Sequence, residues 1–264
     1  MMFSPLERPL MDRRSFVSAA ALAAASMPLL EAAPANASPS NDRALQRIML
    51  DALTRELDDA ATAAAVEPAV EDIGFNWHPP VAPIASLDYV VAYSFGNRPP
   101  AGGGDPSRVR YEPGPVNEAL ADAVAKVRAA RDIPVFAQWE IAHFLETKYS
   151  MDRVTSVEPV VQPDGTIVYL STDGVAEQVV AFRGGTSGTA GVVGFRDHVK
   201  RCVLTTRDRG MTAFAPEGVT MPGTYDELSG QPWTRRRDLY LLHDMYAQFA
   251  RWRAHAITAA YPNG

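Results

Sequence analysis

The sequence predicts an α/β fold: a three-layer Rossmann-like domain with a mostly parallel sheet, plus extra helices at the N-terminal and C-terminal ends. Three observations carry that expectation. Strand-like apolar runs alternate with helical stripes across residues 87–215, the pattern of repeated βαβ units. The run 87–93, LDYVVAY, is apolar on both of its faces, as strands covered on both sides are. Residues 189–211 read as a buried strand, a polar turn and an amphipathic helix in immediate succession. Gly191, Val192, Val193 and Gly194 make the strand, and Val199, Cys202, Val203 and Thr206 recur at helical spacing.

The totals fit one globular domain behind a leader. The chain has 264 residues, 47% of them hydrophobic, enough for a full-sized core. Its formal net charge of -6 argues against a nucleic-acid polymer as partner, because backbone binding needs a basic surface. Cys202 is the one cysteine, so no intramolecular disulfide can form, and its place on the apolar stripe reads as core. The five histidines are scattered, with no pair at the spacing of metal ligands.

Residues 1–37 read as a twin-arginine export signal. Arg13, Arg14, Ser15 and Phe16 precede an Ala-rich run, and Ala35, Asn36 and Ala37 supply small residues for cleavage. Either Met1 or Met11 serves such a signal as start. Pro28 and Glu31 interrupt the apolar run, which is too short for a permanent transmembrane anchor. The expected location of the mature protein is periplasmic or extracellular.

Residues 38–86 read as an N-terminal helix and a Pro-rich connection. Leu45, Ile48, Met49, Ala52, Leu53 and Leu57 predict one helix over 43–60, and Pro68, Pro79, Pro80 and Pro83 predict a loop over 67–86. Within that loop Trp77 and His78 plug the sheet edge or face a ligand. The α/β domain then spans 87–264. After its first strand come Ser94, Phe95, Gly96, Asn97 and Arg98, then a loop with Gly102–Gly104. That loop is a lid or a phosphate cradle, although it matches neither GxGxxG nor a P-loop. A helix over 116–131 carries Leu120, Val124 and Val127 on one face and Asn117 in its first turn.

A second strand, 133–137, leads into Gln138, Trp139 and Glu140. Glu140 is open to two readings, a site carboxylate or a first-turn acid favoured by the helix dipole. Two further runs, 157–161 and 166–170, flank a turn at Gln162–Gly165. Ser171 or Thr172 then caps the next helix or contacts a ligand. Following the helix that ends near Gly210, residues 212–215 form the last strand, and 216–233 are a long excursion. The final helix carries Leu239, Leu242, Met245, Phe249 and Trp252 as an expected core stripe. Before it, Arg235, Arg236 and Arg237 form either a solvated start or an anion contact.

If the strands are parallel, the polar corners after each of them gather at one rim of the sheet. His198 and Glu140 are then the candidate catalytic residues. Gly96, Asn97, Gln138, Ser171, Thr172, Arg196, Asp197 and Arg201 are the candidate ligand contacts. Asp197 is placed to cap the helix, and His198 at the helix start is expected to stay neutral. Arg196 or Arg201 offers a fork to an anionic small molecule. No motif here names a cofactor.

The order of these pieces resembles a known family. An apolar strand, a Gly-bearing loop, a later strand with a polar turn, then His198-Val199-Lys200-Arg201 as His-x-x-Arg, a helix, Gly210 and a short strand are similar to the YdcF/SanA/ElyC-type envelope domain. The likeness covers residues 87–215. Ser94-Phe95-Gly96-Asn97 stands where that family has a glycine run, and Gln138-Trp139-Glu140 where it has Ser-Gly. The resemblance implies a Rossmann-like fold and a role in cell-envelope metabolism or barrier function. For one branch it implies a nucleotide-like ligand such as S-adenosylmethionine.

Three functions stay open. The first is binding or processing of a phosphorylated or nucleotide-like envelope metabolite. The second is a non-catalytic envelope protein with a protein partner. The third is a serine hydrolase, although Gly185-Thr186-Ser187-Gly188 lacks the spacing of a nucleophile elbow and precedes a strand.

Overall fold

A computed structural model describes residues 39–105 and 107–263. The export signal read at 1–37 lies outside them. The described residues divide into two units, with the boundary between Leu45 and Gln46. Helix α1 (Pro39–Leu57) begins in the first unit, and every later element belongs to the second. Helix α2 (Ala60–Phe75) is followed by the short strand β1 (Val81–Ala82), β2 (Tyr89–Ala92), α3 (Gly114–Ala130), β3 (Val135–Gln138) and α4 (Trp139–Thr147). Strand β4 (Val154–Val157), the pair β5 (Val160–Val161) and β6 (Ile167–Val168), and α5 (Thr172–Arg183) come next. The chain closes with β7 (Thr189–Val193), α6 (Val199–Asp208), β8 (Thr212–Pro216) and α7 (Arg237–Ala260).

Six strands form one sheet in the order β1-β8-β7-β2-β3-β4, and every pairing within it is parallel. Strands β5 and β6 form a separate antiparallel hairpin. Strand β2 alternates as a doubly covered strand must. Val90 and Ala92 pack with Leu120, Val124 and Ile141 of α3 and α4. Tyr89, Val91 and Tyr93 pack with Val175, Val179, Cys202 and Val203 of α5 and α6. The molecule is therefore a three-layer Rossmann-like α/β fold. Among the described residues no helix is long and apolar enough to cross a membrane.

Chain direction across the sheet reverses between β2 and β7. From β2 the chain steps outward through β3 and β4, then returns to place β7 on the other side of β2. In open α/β sheets that switch point leaves a crevice beyond the carboxyl ends of the strands.

Three sequence expectations differ from the structure. The helix expected over 43–60 is two helices, because Asp58 takes a left-handed conformation (φ 50) and Asp59 caps α2, accepting from the Ala61 and Thr62 amides. Pro68 sits inside α2 rather than ending it, so only residues beyond Phe75 connect. Two of these, Val81 and Ala82, add a strand at the sheet edge next to β8, the position in which flanking prolines are tolerated. The third difference concerns α7. Leu239, Leu242 and Phe249 are exposed, while Tyr240, Asp244 and Gln248, each four residues on from the last, face inward.

Candidate functional site

Two loops meet at the switch point, and aromatic packing joins them. Phe95, after β2, stacks on Phe195, after β7, with ring centroids 3.9 Å apart and planes 10° apart. Tyr240 meets Phe95 edge-on at 4.5 Å. The first loop is clamped from α3: the buried Asn117 accepts from the Phe95 amide at 2.9 Å and donates to the Gly96 carbonyl at 2.5 Å. Gly96 has φ +63, and a Cβ there would lie 2.9 Å from Ser229 Oγ. Its part is thus to let the loop turn beneath the 216–233 excursion, which also forms the cavity's outer wall.

Above this floor lies a polar cavity of about 240 Å3. Eight of the ten residues picked out by sequence line it: Gly96, Asn97, Gln138, Glu140, Ser171, Thr172, His198 and Arg201. They come from the carboxyl ends of β2, β3 and β7 and from the start of α5, as parallel strands require. Gln138 has a positioning part, since its Oε1 accepts from the Ser94 amide at 2.8 Å. Ser171 is the cap of α5, accepting from the Gly174 amide at 3.1 Å.

Arg196 and Asp197 do not join this group. They line a separate cavity with Trp77 and His78. Asp197 caps no helix; the residue at the cap of α6 is His198, which makes no side-chain capping bond. The Asp197 carboxylate is instead held by Arg196, Arg237 and the Tyr225 hydroxyl. Consecutive side chains at a helix start point about 100° apart, so His198 and Asp197 serve different cavities. The Gly102–Gly104 loop lines neither. Ser187 precedes β7 and so lies at the amino end of the sheet, away from the cavity.

The sequence reading missed Tyr169, Gln231, Trp233, Tyr240 and His243, which line the cavity as well, and Asp244 behind it. Asp244 is buried and accepts from Arg201 Nε at 2.6 Å. Arg201 also donates to Thr172 Oγ1 at 3.0 Å and to the Tyr240 hydroxyl at 3.2 Å. Nothing in the helix pattern singles out Asp244, because α7 also carries Asp238, His243, Arg251, Arg253 and His255. Trp233 stacks on His243, 5.3 Å between centroids, at the rim.

Burial sets the protonation of the two candidate catalytic groups in opposite ways. Glu140 is 3% exposed, and desolvation pushes its carboxyl up to about 7 against the opposing hydrogen bonds from its own amide, Ser94 and Asn97. Its Oε2 and the Oδ1 of Asn97 are buried without a hydrogen-bond partner. His198 is pushed down to about 4 by burial first and by the Arg201 charge second. Its Nδ1 lies 3.5 Å from Asp244 Oδ1, too long for a firm hydrogen bond, and it stays neutral. Desolvation opposes the Asp244 carboxylate, yet the Arg201 guanidinium bonded to it holds it at about 2.

The cavity therefore presents an ion pair that is already balanced, a neutral imidazole and a carboxyl poised near neutrality. Gln138 and His198, at the starts of α4 and α6, make no side-chain capping bonds; the first α6 amides, His198 and Val199, donate to the Phe195 carbonyl at 2.8 Å. Comparison with protein-family models, with curated proteins and with solved structures found no match.

Proposed function

We propose that this is an exported protein of the YdcF/SanA/ElyC type whose switch-point cavity binds and processes a small phosphorylated or nucleotide-like metabolite of the cell envelope. The observation that carries the reading is Glu140: a buried carboxyl with an unpartnered Oε2, beside the unpartnered Oδ1 of Asn97, on a polar cavity. A ligand hydroxyl satisfies those two atoms, and its anionic group takes the remaining donors of Arg201. A carboxyl near 7 exchanges protons at neutral pH, which suits it to general acid–base work on that hydroxyl. The cavity of about 240 Å3 admits a phosphosugar-sized portion and leaves the rest of a nucleotide at the rim, against Trp233.

Calorimetric titration with ribose 5-phosphate tests the site. Binding to the wild-type chain and at least tenfold weaker binding to His198→Ala and Glu140→Ala support the reading; no heat from the wild type, or equal affinities, overturns it. Export is tested separately, since Arg13→Lys with Arg14→Lys should retain the protein in the cytoplasm.

One observation favours the non-catalytic reading. Leu242, Tyr246 and Phe249 are exposed along α7, and contiguous apolar surface often marks a protein contact. Under that reading a pull-down with the wild-type chain recovers a protein partner, Leu242→Glu abolishes that recovery and His198→Ala leaves it intact.

A further inference from the structure

Beside the switch-point cavity lies a second one of different character. It has a volume of about 450 Å3, within the range of small-molecule sites, about 300–1,000 Å3. It opens beyond the carboxyl ends of β8 and β1, and its walls are apolar: Trp77, Pro79, Val81, Val219 and Met221. Arg196 and Arg237 stand at its edge, and Asp197 is the one acid among the residues that line it.

Those three groups leave an uncompensated positive charge. Asp197, 5% exposed at its side chain, is shared by both arginines, whose side chains are 50% and 59% exposed. Each guanidinium directs Nε and one terminal nitrogen to the carboxylate, at 3.1–3.3 Å, and so commits two of its five N–H donors. The Tyr225 hydroxyl adds a further bond to Asp197 at 2.9 Å, fixing the carboxylate between the two forks. Arg196 is held in place on its other side as well. Its amide donates to the Pro222 carbonyl at 2.8 Å, and its guanidinium packs against Gly223, where a Cβ would meet its Cζ at 2.6 Å. Two oriented forks with donors left over, and one carboxylate between them, form a seat for a single anionic head.

We propose that this cavity is a second ligand site, for a small amphipathic anion with a flat apolar body against Trp77 and one carboxylate or phosphate on Arg196 and Arg237. The apolar walls take up the body, and the paired arginines require the charge. The site does not depend on the reading of the first cavity, because neither arginine lines it.

Calorimetric titration with naphthalene-2-carboxylate tests the proposal, with the uncharged naphthalene-2-carboxamide as the comparison. The carboxylate should bind at least tenfold more tightly than the amide. Arg237→Gln, at an exposed position, should reduce that preference at least fivefold, and Val219→Trp, which fills the cavity, should abolish binding of both. Equal affinity for acid and amide, no binding of the acid at millimolar concentration, an unchanged preference in Arg237→Gln, or binding that survives Val219→Trp would each overturn it. Should Val219→Trp fail to fold, the acid-to-amide ratio in the wild type and in Arg237→Gln still decides.

Discussion

Asp244 accepts from Arg201 Nε at 2.6 Å with its own side chain only 1% exposed, so the one guanidinium on the switch-point cavity is anchored from the last helix of the chain. The same carboxylate accepts from Gln248 at 2.8 Å. Through this pair α7 holds α6 in register with the cavity and keeps Arg201 from acting as an unbalanced charge.

Removing one partner of a buried ion pair strands the other. Asp244→Ala should therefore cost about 3–5 kcal/mol, read as a shift in urea midpoint at constant slope. Replacing both groups by apolar residues of like volume, Asp244→Leu with Arg201→Met, should recover most of that loss. A double variant no more stable than Asp244→Ala alone would show that the pair's worth lies in packing, not charge.

Ser171 and Thr172 are adjacent but make different contacts. The first caps α5 through the Gly174 amide, and the second accepts from Arg201. Ser171→Ala should lower stability by about 1 kcal/mol with ligand affinity unchanged. Thr172→Val should weaken ribose 5-phosphate binding while moving stability by less than that. Thermal melts and titrations on the two variants separate the effects, and a matched loss in both readouts for both variants would contradict the division.

The parts of this fold that were legible from sequence are those fixed by short-range pattern. The apolar runs around Val90, Phe136 and Val192 specify strands, and their parallel direction brings Asn97, Glu140 and His198 to one rim without further information. The parts that were not legible depend on contacts distant in sequence. Asp244 is a surface residue by helix pattern until Arg201, 43 positions away, is seen beneath it. Asp197 reads as a cap until Arg237 and Tyr225 claim its oxygens. Pro68 reads as a helix end because a helix interior that contains proline survives only with tertiary support. Here α2 packs on α7, and Lys200 ties down its last turn.

Lys200 makes the next case. Its ammonium is buried, donates to the Asp72 carbonyl at 2.9 Å and the Asn76 carbonyl at 2.5 Å, and pairs with Asp72 Oδ1 at 2.9 Å. The Asn76 carbonyl lies just past the last turn, where a helix leaves its carbonyls open, while the Asp72 carbonyl also accepts the Asn76 amide at 3.2 Å. Lys200→Met keeps the stem and deletes the donors, so it should cost about 1–3 kcal/mol. Amide exchange should then quicken over residues 69–76 ahead of β2 and β7. Uniform quickening across the chain would mean that α2 is not separately held by this contact.

The opposed protonation of Glu140 and His198 gives the last prediction. Between its usual 4.5 and about 7, Glu140 keeps a proton in the folded chain that the unfolded chain has released, so its contribution to stability declines as pH rises through that window. His198 works the other way: between about 4 and its usual 6.5 the unfolded chain carries a proton that the folded chain excludes, and stability climbs with pH. Each slope integrates to about 3 kcal/mol, and over pH 4.5–6.5 the two largely cancel. His243, also lowered by burial and by Arg201, adds to the climb. Urea denaturation between pH 4.5 and 7.5 should thus show a shallow wild-type profile. Glu140→Gln should gain stability steadily up to pH 6.5 and then level off, and His198→Gln should lose stability until about pH 7. A Glu140→Gln profile parallel to the wild type would mean that this carboxyl is already ionised at pH 5, and with that the proton it is proposed to exchange with a ligand hydroxyl at neutral pH would be gone.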